Sequence, residues 1–244
     1  MKYVRSIRGK QYTCALIAEN SYSPASEAYR ILRTNLLQGG DKLGSILVTS
    51  PASGDGKSIT CANLGLAMSQ NEQRVVILDA DLRMPSQHLI FDTPPGKYAM
   101  VLHQQERNTH CTEEDIDRLA VEISPNLSLI PAGLMPGYPA ELLGSARFES
   151  MLAALTDSYD VVIIDSPPVG LVTDAAILAA QVDGVVLVLD YGQQQRRAAL
   201  RAVKALANDQ INLVGTVINR APKPGRRSRY GFSYNSELFV GAVG

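Results

Sequence analysis

The sequence predicts an α/β protein: a doubly wound, mostly parallel sheet flanked by helices, built as a single domain. Three observations lead there. Four short runs rich in β-branched residues are apolar almost throughout, the pattern of strands covered on both faces. Segments with helical spacing lie between them, and strand alternating with helix marks this fold class. Each run also closes on a polar residue, and ligands in such folds bind at the carboxyl ends of the strands. With 244 residues and 45% hydrophobic content, the chain can bury one sizeable core.

In chain order, residues 1–22 read as an N-terminal extension. A helix is predicted over 23–38, with Ser23 as N-cap, Pro24 in the first helical position and Tyr29, Leu32 and Leu36 as its apolar stripe. "SILVTS" (45–50) supplies the first sheet strand and 58–70 the helix after it. "RVVILDAD" (74–81), "YDVVIIDSP" (159–167) and "GVVLVLDYG" (184–192) are the other three runs. "LSLIPAG" (127–133) and "NLVGTVINR" (212–220) are two further strand candidates, and helices are expected over 140–156, 173–181 and 194–208. Residues 222–244, rich in Gly, Arg, Ser and Tyr, read as a flexible tail, so the domain proper spans 23–221.

Composition closes several routes. The formal net charge is −1, so no global basic field points to nucleic acid. Cys14, Cys61 and Cys111 are too scattered for a disulfide framework or a C-x-x-C site, which fits a reducing compartment. His88, His103 and His110 lack metal-ligand spacing. The basic N-terminus has no apolar signal stretch and no run of ~18 apolar residues occurs, so the chain reads as soluble and cytoplasmic.

Chemistry concentrates where apolar runs end. In "SPASGDGKS" (50–58) a strand, a turn-rich loop and a helix follow one another, the context of a phosphate-binding loop, although Pro51 holds the place of that motif's first glycine. Ser53, Gly54, Asp55, Gly56, Lys57, Ser58 and Ile59 would cradle phosphates, with Lys57 on the terminal ones and Ser58 on Mg²⁺. An ordinary strand-to-helix turn is the competing reading. Asp79 and Asp81, two residues apart at the end of a strand, fall on one side of it and suit a metal, or else a turn. Asp165 closes "VVIID" in the manner of a carboxylate that holds Mg²⁺ through water. The overall class is therefore P-loop NTPase-like.

"SGDGKS", "VILDADLRMP" and "VIIDSPP" resemble the Walker A, A′ and B motifs of the bacterial tyrosine kinases, which autophosphorylate and regulate capsule or exopolysaccharide export. "PASEAYRILRTNL" places Glu27, Arg30 and Arg33 in that family's E-x-x-R-x-x-R oligomerisation pattern, and "PAELLGS" (139–145) resembles its mid-domain block. The resemblance implies ATP and Mg²⁺ as cofactors, with Ser58, Asp79, Asp81 and Asp165 on the metal. Lys57, Asp79, Asp81 and Arg83 would be the catalytic residues, one of the two aspartates helping the acceptor's proton depart and Arg83 steadying the acceptor or a phosphate. Asn219 would lie near the base, and Asp174 matches a further family position; either could instead be a cap or turn residue. Tyr230 and Tyr234 would accept phosphate in trans within a ring-like homo-oligomer assembled through Glu27, Arg30 and Arg33. A solvated face with i, i+3 pairing is the bland reading of that helix. A membrane-embedded polysaccharide co-polymerase would be the activator, holding the chain at the inner face of the membrane. Tyr22, Tyr29, Tyr138 and Tyr159 read as packing residues, and Lys223, Arg226, Arg227 and Arg229 as a local basic patch. Two rivals stand beside the kinase. One is an ATPase switch of the partitioning type, which carries a signature lysine where this chain has Ala52. The other is a nucleotide-binding scaffold with little kinase activity.

Overall fold

The computed structural model describes residues 4–7, 10–13, 23–39, 42–98, 110–192, 196–207, 210–221 and 238–241. Its strands are β1 (Val4–Ile7), β2 (Lys10–Thr13), β3 (Ser45–Thr49), β4 (Val75–Asp79), β5 (Val121–Ser124), β6 (Leu127–Ile130), β7 (Val161–Asp165), β8 (Gly184–Asp190), β9 (Leu213–Asn219) and β10 (Leu238–Gly241). The helices are α1 (Pro24–Gln38), α2 (Lys57–Ser69), α3 (Gln87–Ile90), α4 (Glu113–Leu119), α5 (Pro139–Leu143), α6 (Ala146–Ser158), α7 (Asp174–Ala179) and α8 (Arg196–Leu206). One sheet has the order β10-β9-β8-β3-β7-β4-β6-β5, and β1 with β2 makes a separate antiparallel pair. From β9 to β6 the strands run parallel, while β10 and β5 flank them antiparallel.

The helices cover both faces because the strands alternate between two apolar layers. Ile46, Val48, Val75, Ile77 and Ile163 point into one layer with Leu32 of α1 and Leu64 and Met68 of α2. Leu47, Val76, Leu78, Val162 and Ile164 point into the other with Phe148, Met151 and Leu155 of α6 and Leu206 of α8. Each such side chain taken from water is worth roughly 1.5–3 kcal/mol, so the central strands need no polar face. Gly65 lets α2 press onto the sheet: a Cβ there would stand 2.7 Å from Ile77 Cδ1.

Local chemistry sets the helix ends. Ser23 Oγ accepts from Ser26 N at 3.1 Å and Pro24 follows in the first turn, as the sequence predicts. The helix expected over 140–156 is instead two. It breaks at Gly144, and Ser145 Oγ caps α6 by accepting from Phe148 N at 3.2 Å. Neither α3, α4 nor β5 was anticipated. The capping box of Thr112 with Asp115 starts α4. Within the extension, β1 and β2 pair antiparallel, and Leu238–Gly241, within the segment read as a flexible tail, pairs with β9 as an edge strand. The register then aligns the chemistry: Asp79 lies opposite Asp165, Val48 opposite Asp165, and Asp190 opposite Asn219.

Candidate active site

The loop between β3 and α2 is held from outside itself. Gly54 and Gly56 have φ of 91° and 99°, the left-handed region that glycine tolerates best. Gly56 is constrained twice over, since a Cβ there would lie 1.9 Å from Asn219 Nδ2. Asn219 uses that amide to donate to Asp55 O at 2.9 Å, and Arg220 Nη1 donates to Gly54 O at 3.1 Å while pairing with Asp190. Asp55 is turned inward, accepting from Ala52 N at 2.9 Å. Burial and then the neighbouring Asp190 charge raise its pKa, against the pull of the Ala52 N–H. The Asp55 side chain therefore staples the loop, and the backbone is left to face a ligand. Gly56 is the N-cap of α2, and no side chain caps that helix. Its first-turn N–H groups and the positive end of its dipole are offered outward, the usual anion-binding arrangement.

Below the loop the carboxylates divide the work. Lys57 Nζ meets Asp81 Oδ2 at 3.0 Å, both side chains being largely buried, and Asp81 Oδ1 accepts from Met84 N at 3.0 Å. Burial alone would lower the Lys57 pKa, but the charges of Asp165 and Asp81 outweigh it and leave it raised. Asp79 Oδ2 accepts from Ser86 N at 3.0 Å and Gln87 N at 2.9 Å. Gln87 Nε2 donates to Asp165 Oδ2 at 2.8 Å and to Ser58 O at 3.0 Å. Asp79 Oδ1 and Asp165 Oδ1 are buried with no hydrogen-bond partner. Burial, then the Asp165 charge, pushes Asp79 well above the ordinary carboxylate range despite the two N–H groups. Asp165 is also raised by burial, against Lys57, the Ser58 hydroxyl and Gln87.

Two orphaned oxygens on adjacent strand ends, beside a serine hydroxyl, fit a hard cation with oxygen ligands. Among the described residues no three His, Cys, Asp or Glu converge into a metal cage. Such a donor-poor setting suits Mg²⁺, which keeps waters and takes phosphate oxygens in preference to an all-protein shell. Asp81, expected on the metal, pairs with Lys57 in this structure.

Other expectations shift. Arg83, expected to steady the acceptor or a phosphate, makes a bidentate pair with Asp174, Nε to Oδ2 at 2.8 Å and Nη2 to Oδ1 at 2.9 Å, and Asp174 is fully buried. Arg30 pairs with Glu27 at 3.0 Å within α1, and Arg33 donates to Ala67 O of α2 at 2.8 Å, so in the single chain these residues serve each other and the α1–α2 contact. Tyr138, read as a packing residue, is 72% exposed, whereas Tyr29 is buried. Tyr22, His103, Tyr230 and Tyr234, with Lys223, Arg226, Arg227 and Arg229, lie outside the described residues.

Sequence reasoning missed Gln87, Asp190, Arg220 and Tyr98. Asp190 closes an apolar run and the strand-end rule could have found it; the others show no signal without the fold. Tyr98 is fully buried and donates its hydroxyl to Asp79 O at 2.7 Å, staking the end of β4. Cys61 lies buried within α2, and burial pushes its thiol well up, so it is inert. On the other side of the loop, Pro51, Ala52, Asp55, Gly170, Leu171, Leu189, Asp190 and residues of α8 line a cavity of about 240 Å³.

Comparison with known proteins agrees with this geometry. Residues 45–220 match the family model described as an AAA domain. The tyrosine-protein kinase YwqD of Bacillus subtilis is 33% identical over 221 residues, covering 88% of this chain and 89% of its own. The tyrosine-protein kinase CpsD of Streptococcus agalactiae is 31% identical over 195 residues, covering 80% and 82%. The solved structure of the chimerical protein CapA2B2 aligns with a TM-score of 0.78 at 31% identity, over 88% of this chain and 92% of that one.

Proposed function

We propose a function from one premise: the chain belongs to the family of bacterial tyrosine-protein kinases. It transfers the γ-phosphoryl group of ATP to tyrosine hydroxyls in the service of capsule or exopolysaccharide synthesis and export. The observation that carries the reading is the meeting of Lys57 with the buried Asp79, Asp81 and Asp165 beneath an uncapped helix N-terminus.

Phosphoryl transfer needs positioning and charge neutralisation more than covalent help from the protein. The N–H groups from Gly54 to Ser58 would receive the phosphates, and Lys57 would leave Asp81 for the terminal ones. Ser58, Asp79 and Asp165 would hold Mg²⁺, which would supply positive charge to neutralise the phosphates. Asp81, once free of Lys57, is the group able to accept the acceptor hydroxyl's proton. Arg83, fixed by Asp174, holds the 81–84 turn in place. Asn219 and Arg220 keep the loop open in the shape that phosphates need.

The acceptor and the assembly are the outer part of the proposal. Tyr230 and Tyr234 would receive phosphate from a neighbouring copy in a ring, with Glu27, Arg30 and Arg33 exchanging their internal partners for those of the next chain, and a membrane-embedded co-polymerase would recruit and activate the ring. Ala52 speaks against the partitioning-type switch, which needs a lysine there. Phosphotyrosine mass spectrometry after incubation with ATP and Mg²⁺ tests this. Wild type should label, Lys57→Met should not, and Tyr230→Phe/Tyr234→Phe should lose the tail signal. No label on wild type in the presence of its membrane partner would sink the kinase reading; label confined to other tyrosines would sink only the tail assignment.

A further inference from the structure

Among the described residues, the arginines of the sheet and the other helices are engaged. Arg30, Arg74, Arg83, Arg118 and Arg220 pair with carboxylates, and Arg33 donates to a carbonyl. Helix α8 breaks that pattern. Its Arg196, Arg197, Arg201 and Lys204 are exposed, the helix contains no acidic residue, and none of the four forms an ion pair among the described residues. Positions 196, 197, 200, 201 and 204 fall on one face at helical spacing, opposite the buried Ala202 and Leu206. Within that face lies Leu200, 51% exposed.

Four unpaired cations around one exposed aliphatic residue, on a chain of net charge −1, are a local departure that solvation alone does not require. We propose that this face of α8 is a peripheral docking surface for an anionic lipid bilayer. The cations extend over nine residues, roughly 12 Å along a convex helix. That spread is too wide to converge on one phosphate group, and it matches the headgroup plane of an acidic leaflet, into which Leu200 can dip. No helix among the described residues is long and apolar enough to cross a membrane, so the contact is a surface one. The proposal is independent of phosphoryl transfer.

Co-sedimentation of the full, nucleotide-free chain with vesicles tests it. Wild type should pellet with phosphatidylglycerol-containing vesicles, stay in solution with pure phosphatidylcholine, and be released by high salt, which screens surface charge. Arg196→Glu/Arg197→Glu/Arg201→Glu/Lys204→Glu should weaken vesicle partitioning at least ~100-fold. Lys42→Glu/Lys97→Glu, exposed cations elsewhere, should change it far less. The milder Arg196→Gln/Arg197→Gln, with an unchanged melting temperature, should lose part of the binding and guards against misfolding of the fourfold variant. Failure of wild type to pellet, equal pelleting with neutral vesicles, or undiminished pelleting of the α8 variants overturns the proposal. So does tighter, α8-dependent binding of a phosphotyrosine peptide, which would assign the face to a peptide.

Discussion

Asp79→Asn should stabilise the metal-free protein while abolishing its response to Mg²⁺. Asp79 is fully buried, its Oδ1 has no partner, and its neighbour across the ladder is the equally buried Asp165. An asparagine keeps an oxygen for Ser86 N and Gln87 N while removing a charge that burial and Asp165 both oppose. The amide N–H that replaces Oδ1 would serve the equally orphaned Asp165 Oδ1; satisfying a buried acceptor recovers about 1–3 kcal/mol, and a gain of about 2 kcal/mol corresponds to a rise of about 4–8 °C in Tm for a domain of this size. The pH dependence has a definite sign. Because the folded-state pKa is raised, the folded state favours the protonated carboxyl. The stability from this group is fully present below its ordinary pKa and is lost as pH rises through the raised value. In Mg²⁺-free buffer the wild-type Tm should therefore fall as pH rises above the ordinary carboxylate range, and the slope should flatten in Asp79→Asn. With Mg²⁺ and nucleotide, wild type should recover its loss and the variant should not. Thermal scans of both proteins across that rise in pH decide the matter. A variant that melts below wild type without Mg²⁺, or a wild type that gains stability as pH rises, would show that the orphaned carboxylates are not the strained element of the site.

Gly56→Ala should cost nucleotide affinity at least ~10-fold by calorimetry, because a Cβ at φ 99° also meets the Asn219 amide; adding Asn219→Ala should relieve the clash but not the backbone strain, leaving affinity only partly restored. Arg83→Ala should lower stability by about 2 kcal/mol in urea unfolding, less than a fully buried pair would lose because Arg83 is partly exposed, and more than Asp174→Asn, which leaves no uncompensated buried charge. Asp81→Asn should raise nucleotide affinity in Mg²⁺-free buffer while lowering the phosphorylation rate, since it frees Lys57 from the partner that phosphate must displace; unchanged Mg²⁺-free affinity would mean that the pair does not oppose binding.

How much of this could be read beforehand follows from the range of each interaction. The strands of the sheet interior were legible because burial on both faces forces continuous apolar runs, and Asp79 and Asp165 were legible because each closes one. The helix break at Gly144 was not, since one glycine within an apolar periodicity does not fix where a serine will cap. Neither α4 nor β5 announces itself, because both are short and only partly buried, so their pattern is weak. The partners that define the site were hidden for another reason: Arg83 finds Asp174 at 91 positions' distance and Asn219 reaches Asp55 across 164. No local spacing encodes such pairs. The tie of Arg83 to Asp174 escaped the sequence reading for this reason.

The same long-range pairs give the site a mechanical order. Its carboxylates stand on β4 and β7, in the middle of the sheet, where neighbouring strands hold them on both sides. Its phosphate loop is pinned by Asn219 and Arg220, at the end of β9, near the sheet's edge. The outer neighbour of β9 is β10, a four-residue ladder in which Leu238 lies opposite Asn219. Tyr234 is four residues before Leu238 and, at about 3.3–3.6 Å per extended residue, stays within about 14 Å of it while β10 is paired. Were Tyr234 to receive phosphate in a neighbouring copy farther away, β10 would have to leave β9. An edge ladder of four pairs has a neighbour on one side only, so the pin on the phosphate loop adjoins a strand that opens more easily than those of the sheet interior.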